Sequence, residues 1–166
     1  ETIPHSLILL AIFILGTCVG SFLNVCIGRL PESESIVHPR SRCPHCRTLI
    51  RAWYNIPILS FLFLRGQCAT CRAPISIVYP LVEGMTGLFF IAVYLAYGTS
   101  LSTAVYAAFI SALIVVTFID LRHRIIPDEI SLGGLALGLL MSLFRDDLTL
   151  AESFAAALLG GGVLYA

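Results

Sequence analysis

The chain has 166 residues, of which 58% are hydrophobic and 12% are charged, with a mean hydropathy of +0.93. Soluble domains carry about 25% charged residues, so this composition excludes a soluble globular domain, a disordered chain and a basic nucleic-acid-binding module, and leaves a polytopic membrane protein. Ten basic residues, all Arg, balance ten acidic ones, so net charge identifies no partner.

A helix needs about 20 apolar residues to cross a hydrocarbon core of about 30 Å. Ser6 to Ile27 is such a run, without a charge. It is not a signal peptide: no basic segment precedes it, it is too long, and no small-residue cleavage site follows. Within it, Gly16 and Gly20 have the small-xxx-small spacing that lets helices approach closely, and Asn24 extends the same face as interhelical glue. Cys18 and Cys26 read as small packing residues.

Gly28 to Ile77 is polar, is punctuated by five prolines and carries seven of the ten Arg and four of the six Cys. It reads as a small extramembrane insert with little helical periodicity. Its cysteines form two C-x-x-C pairs, Cys43/Cys46 and Cys68/Cys71, separated by 21 residues. Two such knuckles supply the four soft ligands of a tetrahedral zinc site. Redox dithiols and two disulfides are the alternatives. A redox pair normally opens a helix in a βαβ unit, and disulfides are disfavoured in a reducing compartment. A four-thiolate zinc site is closed and structural, with His45 outside it. Short strands are expected around Thr48-Leu49-Ile50 and Ile75-Ser76-Ile77.

Leu81 to Tyr97 is a second span, with Glu83 expected as a first-turn acid that favours the helix dipole. Gly98-Thr99-Ser100 is a turn, and Leu101 to Ile119 a third span ended by Asp120. A carboxylate beside hydrocarbon is a functional-site hypothesis; the bland alternative is a helix-end residue paired with Arg124 at i+4. Arg122 to Glu129 is a charged loop in which Pro127 breaks the helix, so that Asp128 is expected to cap the next one. Ile130 to Phe144 and Leu150 to Ala166 read as fourth and fifth spans, around the turn Arg145-Asp146-Asp147. There is no internal repeat and no low-complexity tract. Basic residues stay cytoplasmic, which places the insert, Asp120 and Arg122 inside, and the N-terminus and the 145–147 turn outside. The ends, Glu1 and Tyr165-Ala166, give the chain the look of a piece of a longer protein.

Three stretches resemble the type IV prepilin peptidases, also called leader peptidase/N-methyltransferases. They are Gly20-Ser21-Phe22-Leu23-Asn24-Val25 with Arg29-Leu30-Pro31, the two knuckles with Tyr79-Pro80-x-x-Glu83, and Asp120-Leu121-Arg122-His123-Arg124-Ile125-Ile126-Pro127-Asp128. The resemblance implies an all-α membrane bundle with a cytoplasmic zinc-knuckle insert, in a bacterial inner membrane. It divides the chain into a first transmembrane helix (1–27), the insert (28–79) and a truncated peptidase domain (80–166). It implies an intramembrane aspartyl endopeptidase that cuts the leader from type IV prepilins and type II secretion pseudopilins after a glycine. It also implies N-methylation of the new N-terminus with S-adenosylmethionine. Asp120 matches the first catalytic aspartate, and Cys43, Cys46, Cys68 and Cys71 match the zinc ligands. The family's second aspartate lies in a Gly-x-Gly-Asp-x-Lys motif that these 166 residues do not contain. Asp128 is the weaker candidate for it, and Asp146 and Asp147 fall on the opposite side. The implied partners are prepilins and the lipid bilayer, with no nucleic acid. Two other readings are a degenerate paralogue or methyltransferase-only protein, and a non-catalytic zinc-binding scaffold of a secretion or pilus machine. No glycine-rich nucleotide loop marks a methyl-donor pocket.

Overall fold

The structure, a computed structural model, describes residues 4–144 and 149–165; the expected Arg145–Asp147 turn lies outside them. The described residues are helical, with no β-strand. The chain divides into two compact units, Glu1–Ile125 and Ile126–Ala166.

The first unit is built on three long helices: α1 (His5–Arg29), α3 (Val78–Tyr97) and α4 (Leu101–His123). Each is long and apolar enough to cross a membrane. A short helix, α2 (Leu59–Phe63), and two 3-10 turns, Leu30–Glu32 and Ala52–Asn55, lie in the segment between α1 and α3. The expected turn at 98–100 is present: Ser100 caps α4 by accepting from the Thr103 amide.

Helix α1 buries Gly16, Thr17, Gly20, Leu23, Asn24 and Ile27, one stripe at helical spacing. That stripe packs on Val82, Glu83, Thr86 and Gly87 of α3. The approach is close because the residues are small. A Cβ added at Gly16 would stand 2.7 Å from Gly87 Cα, and one at Gly20 would stand 2.7 Å from Glu83 Cα. Both contacts are with backbone, so no side-chain rotation can relieve them. In hydrocarbon, where lipid is as apolar as leucine, such backbone packing is a main source of helix association. The buried hydroxyls cost little, because each donates to its own helix: Thr17 to the Ile14 carbonyl at 2.8 Å and Thr86 to the Val82 carbonyl at 2.7 Å. Asn24 donates across the interface to the Tyr79 carbonyl at 3.0 Å, the glue expected of it. Cys26 is buried, as expected of a packing residue, whereas Cys18 is exposed on the outer face of α1.

The second unit contains α5 (Asp128–Ser142) and α6 (Leu150–Tyr165), of 15 and 16 residues. These are the expected fourth and fifth apolar segments as helices, shorter than the three long ones. Asp128 is not the N-cap. Pro127 holds that position and no side chain caps it, so Asp128 is the first helical residue and favours the dipole from there.

Gly20→Ala is expected to destabilise the first unit by about 1–3 kcal/mol, because backbone must shift to admit the methyl group. Gly28→Ala, which meets nothing within 4 Å, is expected to be neutral. Thermal unfolding of the two variants in detergent checks the contrast.

Candidate metal centre and the cavity beside it

The two knuckles fold alike. In the first, the Cys43 amide donates to the Thr48 carbonyl at 3.0 Å, the Arg47 amide to the Cys43 carbonyl at 2.9 Å, and the Ile50 amide to the Ser41 carbonyl at 2.9 Å. In the second, Cys68, Arg72 and Ile75 donate to Ala73, Cys68 and Gly66 at 2.8, 3.0 and 2.7 Å. Arg47 and Arg72 both take left-handed backbone, with φ of 55° and 58°. Each turn therefore reverses within one residue after its second cysteine. Neither expected short strand forms: a single bridge joins Arg42 to Leu49, and another joins Gln67 to Pro74, just before Ile75-Ser76-Ile77, because each knuckle is too tight for a longer ladder. The expectation of no repeat is also corrected. Arg-Cys-Pro-His-Cys-Arg-Thr-Leu-Ile (42–50) and Gln-Cys-Ala-Thr-Cys-Arg-Ala-Pro-Ile (67–75) share Cys, Cys, Arg and Ile in register. That common C-x-x-C-R-x-x-I was the signal available in the sequence.

The knuckles bring Cys43, Cys46, Cys68 and Cys71 together, with all four sulfurs within 4.8 Å of one another. Cys43 Sγ and Cys71 Sγ are 3.8 Å apart. A tetrahedron with metal–sulfur bonds of about 2.3 Å has edges of about 3.8 Å, so the donor set fits a metal ion of zinc's size and preferences. The thiols are free rather than paired. His45 is not in the cluster. The Thr48 hydroxyl and backbone lower the Cys46 pKa to about 6. At Cys71 the Ala73 backbone pulls the pKa down, but desolvation and the three neighbouring cysteines outweigh it and raise it to about 11. Mutual crowding of four sulfurs thus opposes full ionisation, and a bound cation would remove that opposition.

Beside the cluster is a cavity of about 860 Å³, whose lining includes Ser21, Asn24, Cys43, Tyr79, Glu83 and Arg122. Residues from all three family-like stretches thus meet in one place. Glu83 is 7% exposed, and its Oε2 accepts from the Ile58 amide at 2.7 Å. Ser21 is its other hydrogen-bonding partner. Glu83 is therefore not the first-turn acid expected. It lies in the second turn of α3, where its carboxylate ties the insert to a membrane helix. No ion pair reaches it among the described residues. Sequence spacing gave no sign of a bond across 25 positions.

Asp120 is exposed in the last turn of α4. The helix continues to His123 and closes at Arg124, whose φ is 54° and whose amide donates to the Asp120 carbonyl at 2.9 Å. That backbone bond, and not a side-chain ion pair, is what links Asp120 to Arg124. Asp120 does not line the cavity, whereas Arg122, on another face of the same helix end, does. Asp128 belongs to the second unit.

The profile of the Bacterial Peptidase A24 N-terminal domain matches residues 14–97, half of the chain. The chain belongs to that family. The profile of the Type IV leader peptidase family matches residues 107–166. Among curated proteins, the chain is similar to the prepilin leader peptidase/N-methyltransferase of Myxococcus xanthus, at 46% identity over 82% of this chain and 43% of that protein. Proteins of the same name from Neisseria gonorrhoeae and Stutzerimonas stutzeri are 39% and 37% identical, over 92% and 95% of this chain and 62% of each relative. The chain thus spans about half the length of the curated relatives it matches. No solved structure matches it.

In metal-stripped protein at pH 7, iodoacetamide is expected to alkylate Cys46 faster than Cys71, since the lowered pKa leaves Cys46 mostly thiolate and the raised one leaves Cys71 protonated. Restoring the metal is expected to protect both. Peptide mass mapping over a time course reads the order.

Proposed function

We propose that this chain is the N-terminal part of an intramembrane aspartyl endopeptidase that removes the leader from type IV prepilins and type II secretion pseudopilins and then N-methylates the new N-terminus. The observation that carries the reading is Asp120. It is an exposed carboxylate in the last turn of a helix long enough to span the membrane, within the segment matched by the leader peptidase profile. A substrate whose apolar helix lies in the bilayer and whose leader stays in water presents its scissile bond at that level.

Aspartyl proteolysis needs two carboxylates that share one proton, one activating water and the other polarising the carbonyl. Asp120 is the first. The second belongs to the Gly-x-Gly-Asp-x-Lys motif, which is not among these 166 residues; Asp128 is the weaker substitute. The domain plan we adopt is a first transmembrane helix over 1–27, the insert over 28–79 and a partial peptidase domain over 80–166. The Arg-rich insert and Asp120 face the cytoplasm across a bacterial inner membrane.

The four cysteines hold a structural zinc, which staples a segment too small for a core of its own. The cavity beside it is the methyl-donor site. S-adenosylmethionine carries a sulfonium and an ammonium along with a carboxylate. The cavity offers one buried acid, Glu83, for the cations, and five lining arginines, Arg122 among them, for the anion. When bound, that cofactor supplies the methyl group; Glu83 and Asn24 orient what enters. Placing Asp120 outside the cavity keeps peptide cleavage and methyl transfer in separate places, consistent with one following the other.

In the full-length protein, Asp120→Asn is expected to lower prepilin cleavage about a thousand-fold or more, measured as leader release in detergent. The 166-residue chain alone is expected to cleave nothing. Cleavage by Asp120→Asn at the unmutated rate would refute the peptidase assignment of Asp120. Cleavage by the 166-residue chain would place the second carboxylate within it.

A further inference from the structure

Helix α2 is only five residues long, but its two faces differ. Ser60, Phe61 and Leu64, just past its end, line the cavity. Leu59, Leu62 and Phe63 point away, at 51%, 63% and 84% exposure. These three are spaced i, i+3 and i+4, one stripe on a helix, and all are large and apolar. The residues leading into α2 continue the pattern: Trp53 and Ile56 are exposed and do not line the cavity. A helix facing water on that side would carry polar residues there.

The root of α2 fixes its depth. The Ile58 amide is bonded to Glu83, and a methyl group on Gly84 would stand 3.9 Å from Ile58 Cδ1. Helix α3 is 20 residues long, or about 30 Å, which matches the hydrocarbon thickness of a bilayer. Glu83 and Gly84 lie five and six residues from its start, about 8 Å along the axis. The start of α2 is thus pinned to the flank of a membrane span below the headgroups, at the depth where interfacial helices bury their apolar faces. Arg51 and Arg65, both exposed, bracket the apolar stretch, with the Arg51 guanidinium 5.6 Å from the Trp53 ring. Arginine beside tryptophan suits a membrane interface.

We propose that 53–63 is an interfacial membrane anchor: Leu59, Leu62 and Phe63 insert into the acyl boundary of the bilayer that α1, α3 and α4 cross, with Trp53 at headgroup level and Arg51 and Arg65 on anionic headgroups. The occupant of the apolar stripe is lipid. The insert therefore lies on the membrane, and this lipid contact holds the floor of the cavity at a fixed depth.

The chain has one tryptophan, which gives the test its probe. The full chain, as Trp53→Phe with Phe63→Trp, is reconstituted in phosphatidylcholine/phosphatidylglycerol vesicles with or without bromine on the upper acyl chain. Emission is expected to be blue-shifted, to fall about two-fold in brominated lipid, as befits a side chain some 5–10 Å into the boundary, and to resist aqueous iodide. Iodide quenching without bromine quenching would place the stripe in water and overturn the proposal. Quenching by neither would place it against protein, from this chain or a second copy, and overturn it equally. The unmutated chain, read through Trp53, is expected to show weaker bromine quenching than Phe63→Trp; the reverse order would contradict the depth assigned to α2.

Discussion

The close approach of α1 and α3 is the constraint on which the rest of the first unit depends. Gly16 and Gly20 let the α1 backbone meet the backbone of α3 at Gly87 and Glu83, and Gly87 leaves room for the Phe13 ring. That proximity brings Ser21 beside Glu83 and Asn24 beside the Tyr79 carbonyl. Glu83 in turn holds Ile58, and through it the start of α2. A membrane packing motif, which by itself implies no function, thus determines where the cavity wall stands. Glycine does here what a polar contact cannot. It lets the backbones themselves touch, so that short side chains such as Ser21 and Asn24 can reach across.

The insert is organised by a different force. Two copies of one turn, each closed by an arginine in left-handed backbone, face their thiols inward. Four sulfurs at this spacing repel one another as thiolates, and a bound cation would offset that repulsion. The insert has no apolar core of the usual kind, so its order rests on that cluster at one end and, at the other, on Arg29 of α1, which donates to the Ser35 and Pro39 carbonyls, and on Glu83 of α3. The cavity lies between these two supports, and Asp120 stands outside it on α4. The proposed cleavage and methyl transfer are compatible with that separation, since the product amine would have only to move from one place to the other.

Much of this was legible from residues alone, for physical reasons. Hydrocarbon demands long uncharged runs, so α1, α3 and α4 announce themselves, and the 98–100 turn follows from its glycine and capping serine. Paired C-x-x-C spacing carries its own chemistry. The Gly16/Gly20 spacing gave the face of α1 that packs. Other features lay beyond local pattern. Helix α2 hid inside a segment punctuated by prolines, because five residues are too few for a period and its root is held by a tertiary bond. Glu83 looked like a dipole acid because its partner is 25 residues away. Pro127, with its fixed φ, took the N-cap position that Asp128 seemed to suit. Cys18 and Cys26 look alike in sequence and differ only in which side of α1 each occupies.

Under the proposed function, cleavage at Asp120 and methyl transfer in the Glu83 cavity are separable by one substitution. The most direct test is the mass of the pilin N-terminal peptide from cells making the full-length protein with Glu83→Gln. Glutamine keeps an oxygen for the Ile58 amide and removes the charge. The expected pilin is cut at the normal site and unmethylated. A pilin both cut and methylated, or one left uncut, would contradict the proposed separation.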